Sequence, residues 1–191
     1  MRNALFINGF NSDEHSSTGA KVKNVLKELG FSTMIKTFDV LSPFKTKKEI
    51  DEMLKSGSFN LVVGHSLGGF YTLATQFPKS LNAKKIIINP SIVPEEDLKR
   101  IASLREEILE EFAILNKEIR KISSKEEKDT VFALFGKRDE LIADNERKPY
   151  IDLFLKHYGN NYEILECTHR PDEESLKIGL RLALETLGIA K

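Results

Sequence analysis

Residues 60–71 read NLVVGHSLGGFY, and this stretch decides how the rest of the chain is interpreted. An apolar run at 61–63 leads into the pattern G-x-S-x-G, in which Gly64 and Gly68 flank Ser66, and a helical pattern follows. A strand, a tight turn with a central serine and a helix form the context of an activated serine nucleophile. The glycines leave room for strand and helix to approach, and the helix N-terminus favours negative charge beside the hydroxyl. The alternative is a tight turn whose serine only faces solvent.

The composition is that of an ordinary globular protein. The 191 residues are 40% hydrophobic and 30% charged, which is long enough for one domain with a substantial core. The 29 basic and 29 acidic residues cancel, so no charge excess favours nucleic acid or an anionic membrane as a partner. The apolar runs are too short for a bilayer span or a signal-peptide core. We therefore expect a single cytoplasmic domain over residues 1–191.

Cofactor and metal chemistry find little support in the sequence. The single cysteine, Cys167, cannot form an internal disulfide or supply a cysteine-based zinc site, and we expect it to be buried and incidental. No group of His, Asp and Glu has the spacing of metal ligands, such as H-E-x-x-H. No strand is followed by a nucleotide-binding glycine pattern. We expect neither a metal nor a cofactor.

Strands alternate with helices along the chain. We predict strands at 4–7, 31–40, 61–63, 84–90, 130–136 and 161–165. We predict helices from residue 17 or 18 to 29 and at 46–57, 70–77, 146–157 and 173–187, with Thr46 capping the second and Pro78 stopping the third. Near-continuous apolar strands in this alternation are typical of a parallel sheet covered on both faces. The fold class is therefore α/β, a three-layer α/β/α sandwich with about six mainly parallel strands.

Residues 94–124 form a helical insertion between the fourth and fifth strands. Apolar residues recur there at steps of three, four and seven with charged residues between them, which indicates one long amphipathic helix or two joined ones. A single helix of about 28 residues would be about 42 Å long, more than this domain can cover. The insertion is interpreted as a surface crossover, a lid over Ser66 or a dimer contact, so monomer and homodimer both stay open.

Catalysis by a serine hydroxyl requires a base, usually a histidine oriented by a carboxylate. In one large class of α/β enzymes these groups follow the serine in the order Asp or Glu, then His, each after a later strand. Asp139 follows the fifth predicted strand and His169 follows the sixth. We therefore predict Ser66, Asp139 and His169 at one edge of the sheet. Asp139 could instead be a turn residue, with Glu140 or Asp144 orienting the histidine.

The other histidines fit the base position less well than His169. His65 lies within the serine turn, where its side chain is directed away from the position of the base. His15 precedes the serine, which is the wrong order along the chain. His157 lies near the C-terminal end of a predicted helix, where the helix dipole favours a positively charged side chain such as a protonated histidine.

A developing oxyanion requires two preorganised N–H donors. The N–H of Leu67, directly after the serine, is one candidate. The N–H of Phe10 is the other, because Gly9 lets the loop after the first strand turn inward. Further residues predicted to line a substrate pocket are Asn11, Ser12, His15 and His65.

With these residues identified, the chain resembles the α/β-hydrolase superfamily and is most similar to small bacterial esterases of the YqiA/YcfP type. The matching segments, in order, are 6–12 (FINGFNS), 64–69 (GHSLGG), 88–94 (INPSIVP), 136–140 (GKRDE) and 167–169 (CTH). The resemblance implies a trimmed α/β-hydrolase fold with Ser66 as nucleophile, Asp139 as orienting acid and His169 as base. The sequence departs from the family pattern at Asn8, where a histidine is usual, and in the length of the 94–124 insertion.

The function implied is that of a carboxylesterase-like serine hydrolase. It would cleave a small-molecule acyl ester, or a thioester, through an acyl-enzyme and without a cofactor. The same three residues also suit amide or peptide hydrolysis. The alternative of another class is a non-catalytic binding or scaffold protein on the same fold, with the 94–124 insertion as its partner surface.

Overall fold

The computed structural model describes residues 2–77, 83–122, 125–142 and 147–190. Strands and helices alternate through these ranges, as predicted. The strands are β1 (Arg2–Ile7), β2 (Phe31–Lys36), β3 (Phe59–His65), β4 (Lys84–Ile88), β5 (Val131–Arg138) and β6 (Asn161–Thr168). The helices are α1 (Ser17–Glu28), α2 (Pro43–Ser56), α3 (Leu67–Ala74), α4 (Pro94–Ile101), α5 (Glu106–Ile122), α6 (Lys125–Lys128), α7 (Arg147–His157) and α8 (Glu173–Thr186).

The described strands form one six-stranded sheet in the order β2-β1-β3-β4-β5-β6. Every neighbouring pair is parallel. Parallel strands place their carboxyl ends on the same edge, and ligands of open α/β sheets bind beside that edge. The residues that follow β1, β3, β4, β5 and β6 therefore meet there. The predicted parallel sheet is confirmed.

Each face of the sheet has its own hydrophobic core. Side chains alternate along a strand, so Leu5 and Ile7 belong to one core, and Ala4 and Phe6 belong to the other. The first core is completed by α2, α3, α4, α5 and α7, and the second by α1 and α8. The three-layer α/β/α sandwich predicted from the sequence is therefore confirmed. None of the helices in the described ranges is long and apolar enough to cross a membrane.

The 94–124 insertion contains two separate helices, α4 and α5. The chain is extended at Ala102, with φ −148° and ψ 143°, which ends α4 before α5 begins. The buried ring of Phe112 on α5 packs on Phe70 and Tyr71 of α3, with centroids 5.7 Å and 6.2 Å apart. The last two residues of the insertion, 123–124, lie outside the described residues. Its function as a lid or as a dimer contact stays a prediction.

β2 is shorter than the sequence indicates. The predicted strand continued to residue 40, whereas β2 ends at Lys36. The prediction of strand at 37–40 was wrong because this segment turns back towards α3. There the carbonyl of Val40 accepts a hydrogen bond from the Tyr71 hydroxyl at 2.7 Å. A contact between residues 31 positions apart thus marks the end of this strand, and the local pattern of apolar residues does not record it.

Two helix boundaries also differ from the predictions. α2 begins at Pro43, where the missing N–H of proline has no cost, and not after Thr46. The hydroxyl of Thr46 does not cap the helix but donates to the carbonyl of Asp39 at 2.6 Å. α3 begins at Leu67 and ends before Thr75, whose backbone is extended. Pro78, predicted to stop α3, lies outside the described residues, as does residue 146, the predicted start of α7.

We expect the substitution Phe112→Ala to lower the free energy of unfolding by about 3–5 kcal/mol, because it empties space beneath α3 that the ring fills. Urea denaturation measures this loss. Ile114→Ala on the same helix is the matched control, because Ile114 is 52% exposed, and we expect a change below about 1 kcal/mol. Equal effects of the two substitutions would contradict the packing of α5 described above.

Candidate active site

Ser66 lies in a turn of one residue between β3 and α3. Its φ is 56° and its ψ is −123°, and a positive φ strains a non-glycine residue by about 1–3 kcal/mol. The flanking glycines make this turn possible. A Cβ on Gly64 would collide with the carbonyl of Gly68 and the hydroxyl of Thr72, and one on Gly68 with the carbonyl of Ile7. The backbone therefore has the form of the strand–serine–helix turn that the sequence predicts.

The loop after β1 passes directly beside Ser66. A Cβ on Gly9 would lie 2.9 Å from the Cβ of Ser66 and 3.4 Å from its Oγ, so only glycine allows this approach. Asn8 is buried and holds the loop closed. Its Nδ2 donates to the carbonyl of Asp13, and its Oδ1 accepts from the hydroxyl of Ser16, both at 2.6 Å. Asn8, which stands where the family usually has a histidine, thus holds the loop after β1 through both ends of its amide group.

His169 and Asp139 form a buried pair after β6 and β5. The Nδ1 of His169 lies 3.0 Å from both carboxylate oxygens of Asp139. Asp139 Oδ1 also accepts from the N–H groups of Leu141 and Ile142, each at 2.9 Å. An ionised carboxylate only accepts hydrogen bonds, so Nδ1 of the imidazole carries the proton. The Nε2 of a neutral ring is then left as an acceptor.

Asp139, and not Glu140, contacts the imidazole. The Oε2 of Glu140 accepts instead from the main-chain N–H of His169 at 3.0 Å. Asp144, the other alternative from the sequence, lies outside the described residues. Within the described ranges no hydrogen bond joins the His169 ring to the Ser66 hydroxyl. The structure thus brings a serine turn and an Asp–His pair to the same edge of the sheet without a direct hydrogen bond between them.

Asn89, which lies in the 88–94 segment (INPSIVP) and has no predicted role of its own, connects three strand ends. It is buried and has a φ of 43°. Its Nδ2 donates to the carbonyls of Thr168 and His169, each at 3.0 Å, and its Oδ1 accepts from the N–H of Gly136. These bonds replace main-chain pairing where β5 and β6 shift register between Gly136 and Arg138. The Asn-Pro pair at the end of an apolar strand is the only signal that could have revealed it.

His65 supports the main chain of His169. Its Nε2 lies 2.8 Å from the carbonyl oxygen of His169, and the two rings lie 4.9 Å apart. Burial, assisted by the charge of a protonated His169, lowers the pKa of His65 to about 4. His65 is therefore neutral near pH 7. A carbonyl oxygen can only accept a hydrogen bond, so the Nε2 of His65 carries the ring proton. It donates a hydrogen bond to the carbonyl oxygen of His169.

An open groove of about 340 Å³ lies next to this edge, after β1 and β2. It is lined by residues 10–13 and 38–41, and we call it the β1–β2 groove. Phe10, predicted to donate its N–H to an oxyanion, lies between this groove and Gly9, which contacts Ser66. The groove is thus continuous with the loop that passes the serine.

The four residues predicted to line a substrate pocket lie in different places. Asn11 and Ser12 are part of the wall of the β1–β2 groove. The side chain of His15 is 85% exposed, lies 3.8 Å from Glu14 and is not part of that wall. His65 is buried against His169. The role of these four residues in substrate binding stays a prediction.

Cys167 is a buried free thiol on β6. Burial raises its pKa to about 11, so it stays protonated near pH 7 and lacks the thiolate that reactive cysteines require. The prediction of a buried cysteine is confirmed. Over the described part of the chain, no three His, Cys, Asp or Glu side chains are arranged to hold a metal ion.

Solved structures identify the class of protein that this fold defines. Est1E from Butyrivibrio proteoclasticus with bound ferulic acid has a TM-score of 0.70 and 16% identity, over 98% of this chain and 90% of that chain. The esterase domain of a Rhodothermus marinus protein has a TM-score of 0.72 and 16% identity, over 98% and 87%. An esterase from Pyrococcus furiosus has a TM-score of 0.64 and 15% identity, over 99% and 83%. The protein has the α/β-hydrolase fold.

The sequence places the chain in a particular family within that class. The model of UPF0227, described as an uncharacterised protein family, matches residues 3–166. The chain therefore belongs to UPF0227, the family of the YqiA/YcfP type that its motifs resemble. A comparison with curated proteins finds no match.

We expect acid to destabilise the protein in part through His65. Its pKa is about 4 when folded and near 6.5 when exposed, so the unfolded chain binds more protons between these values. The free energy of unfolding should therefore fall as the pH decreases from about 6.5 to about 4, by up to about 1.4 kcal/mol per pH unit for this group. Urea denaturation across this range should show a shallower slope for His65→Gln. His15→Gln, which removes an exposed histidine, is the matched control, and an unchanged slope in His65→Gln would contradict the assignment.

Proposed function

We propose that this protein is a serine hydrolase that cleaves a carboxylic ester, or a thioester, of a small acyl substrate through an acyl-enzyme intermediate. One observation carries the proposal: Ser66 has a positive φ in the β3–α3 turn, at the same sheet edge as the buried pair of Asp139 and His169. A binding protein would need neither the strained serine nor the oriented imidazole. The esterases among the structural neighbours add support at the level of the fold.

In the proposed reaction, Ser66 Oγ attacks the carbonyl carbon of the substrate. His169 Nε2 accepts the hydroxyl proton and then donates it to the oxygen or sulfur that leaves. Asp139 holds Nδ1–H and stabilises the imidazolium formed in this step. Water repeats the sequence on the acyl-enzyme and releases the acid. Hydrogen bonds between base and nucleophile are often long without substrate and tighten in the complex.

Two main-chain N–H groups are the proposed donors to the oxyanion. Leu67 is the first residue of α3, so its N–H is among those without an acceptor inside the helix. Phe10 follows Gly9, whose backbone contacts the Ser66 side chain. Removing one such donor in serine hydrolases typically costs about 100–1,000-fold in rate, so the position of this loop matters directly to catalysis.

Three side chains are proposed to position His169 without touching the substrate. Asn89 and His65 donate to its carbonyl oxygen, and Glu140 accepts from its N–H. These contacts fix the main chain on either side of the ring. Because a general base must be within hydrogen-bonding reach of the nucleophile, a small displacement of this loop would lower the rate strongly.

We expect a fluorophosphonate probe to form a single adduct on the native protein, because it reacts with base-activated serines. Ser66→Ala should form none, and His169→Ala should react at least about 100-fold more slowly. Intact mass spectrometry over time measures both. Ser32→Ala, which removes an exposed serine from β2, should react like the native protein. Absence of labelling on folded native protein would reject the hydrolase proposal in favour of a binding role.

We expect Asp139→Asn to lower kcat by about 1,000- to 10,000-fold, because an amide in this position no longer selects the Nδ1–H tautomer. Glu140→Gln keeps an oxygen for the His169 N–H and should lower kcat by less than about 10-fold. Steady-state hydrolysis of 4-nitrophenyl esters compares the two. The assignment is overturned if Asp139→Asn keeps near-native activity, and Asp144 would then be tested in its place.

A further inference from the structure

The β1–β2 groove has walls that are already fixed in position. Asn8 Nδ2 binds the carbonyl of Asp13 in one wall. The Tyr71 hydroxyl binds the carbonyl of Val40 in the other, at 2.7 Å, and Thr46 binds the carbonyl of Asp39. Tyr71 belongs to α3, the helix that begins directly after Ser66. The groove therefore keeps a set position relative to the serine, as expected of a preformed binding site.

The order of the strands decides which part of an ester would face this groove. The groove follows β1 and β2, on one side of β3, whereas Asp139 and His169 follow β5 and β6 on the other side. The leaving oxygen must face His169 to receive its proton. The acyl chain diverges from the leaving oxygen at the carbonyl carbon, and the side of Ser66 that is free of Asp139 and His169 is the side of β1 and β2. The groove is thus the place for the acyl part and not for the leaving group.

The lining of the groove combines apolar surface with negative charge. Phe10, Phe38 and residues 40–41 supply the apolar part, and Asp13 and Asp39 supply two exposed carboxylates. Among the described residues that line the groove, none is a lysine or an arginine. Next to the lining segments along the chain, Glu14 and Lys36 carry opposite charges, and the exposed ring of His15 lies beside Glu14. The lining itself therefore carries a net negative charge.

We propose that the β1–β2 groove is the acyl-binding site and that Asp13 and Asp39 make it selective for neutral and cationic acyl groups over anionic ones. This inference rests on the proposed hydrolase function. A like charge about 6 Å away across water weakens binding about three-fold, so two carboxylates give roughly ten-fold discrimination. Monoesters of dicarboxylic acids are then poor substrates. Esters of uncharged or quaternary-ammonium acids of similar length are good ones.

The test uses three 4-nitrophenyl esters that share a leaving group and a five-carbon acyl chain. They are the pentanoate, the glutarate monoester and the 5-(trimethylammonio)pentanoate. The native enzyme should hydrolyse the pentanoate with a kcat/KM about ten-fold above that of the glutarate monoester. The double substitution Asp13→Asn and Asp39→Asn should bring this ratio close to one, mainly by improving the anionic ester, and should remove any preference for the cationic one.

The matched control removes two carboxylates elsewhere, by Asp152→Asn on α7 and Glu163→Gln on β6. Asp152 is exposed and Glu163 is half-buried, and both lie on the β5–β6 side of the sheet, away from β1 and β2. It changes the net charge equally and should keep the native ratio. Raising the salt concentration to about 0.5 M should reduce the native ratio, because exposed charges are screened. Leu41→Trp, which fills the groove, should lower kcat/KM for the pentanoate more than for 4-nitrophenyl acetate.

Three results would overturn the proposal while leaving the hydrolase function intact. They are a native preference for the glutarate monoester, a ratio unchanged by the double substitution, and an equal loss for pentanoate and acetate in Leu41→Trp. The failure of the proposed function looks different. In that case folded native protein hydrolyses none of the esters and takes no fluorophosphonate label, and this proposal is rejected with it.

Discussion

The close approach of β1, β3 and α3 sets the geometry of the whole candidate site. Carbonyl groups of neighbouring backbone occupy the space that side chains at Gly64 and Gly68 would need. Because strand and helix come so near, the chain must reverse within one residue, and Ser66 takes up the positive φ. The same approach leaves Gly9 in contact with the serine side chain. Serine, β1 loop and first helical turn therefore form one rigid unit, and the surrounding packing offsets the strain at Ser66.

The second half of the site depends on how completely His169 is held. Its carbonyl oxygen accepts from Asn89 and His65, its N–H donates to Glu140, and its Nδ1 contacts Asp139. These partners come from the carboxyl ends of β3, β4 and β5. The ring nitrogen with no role in this framework is Nε2, which is the one that the proposed proton transfer would use. These hydrogen bonds thus restrain His169 without engaging Nε2.

The sequence predicts this molecule well where local patterns carry the information. Continuous apolar runs gave the parallel sheet, and glycines on both sides of Ser66 gave the turn, since both effects act over a few residues. Prediction from the sequence fails where contacts between residues far apart in the chain determine the local structure. β2 ends early where the Tyr71 hydroxyl donates to the carbonyl of Val40, and Thr46 does not cap α2 because its hydroxyl donates to the carbonyl of Asp39. The role of Asn89 depends on a register shift between two later strands, which no local pattern records.

The wide spacing of the site along the chain has a consequence for folding. The hydrogen bond between His65 and His169 joins residues 104 positions apart. Closing such loops is slow, and proteins dominated by long-range contacts fold slowly. The imidazole has no fixed position until β6 pairs with β5. The arrangement of Asp139 and His169 beside the Ser66 turn therefore exists only in chains whose sheet is complete from β3 to β6.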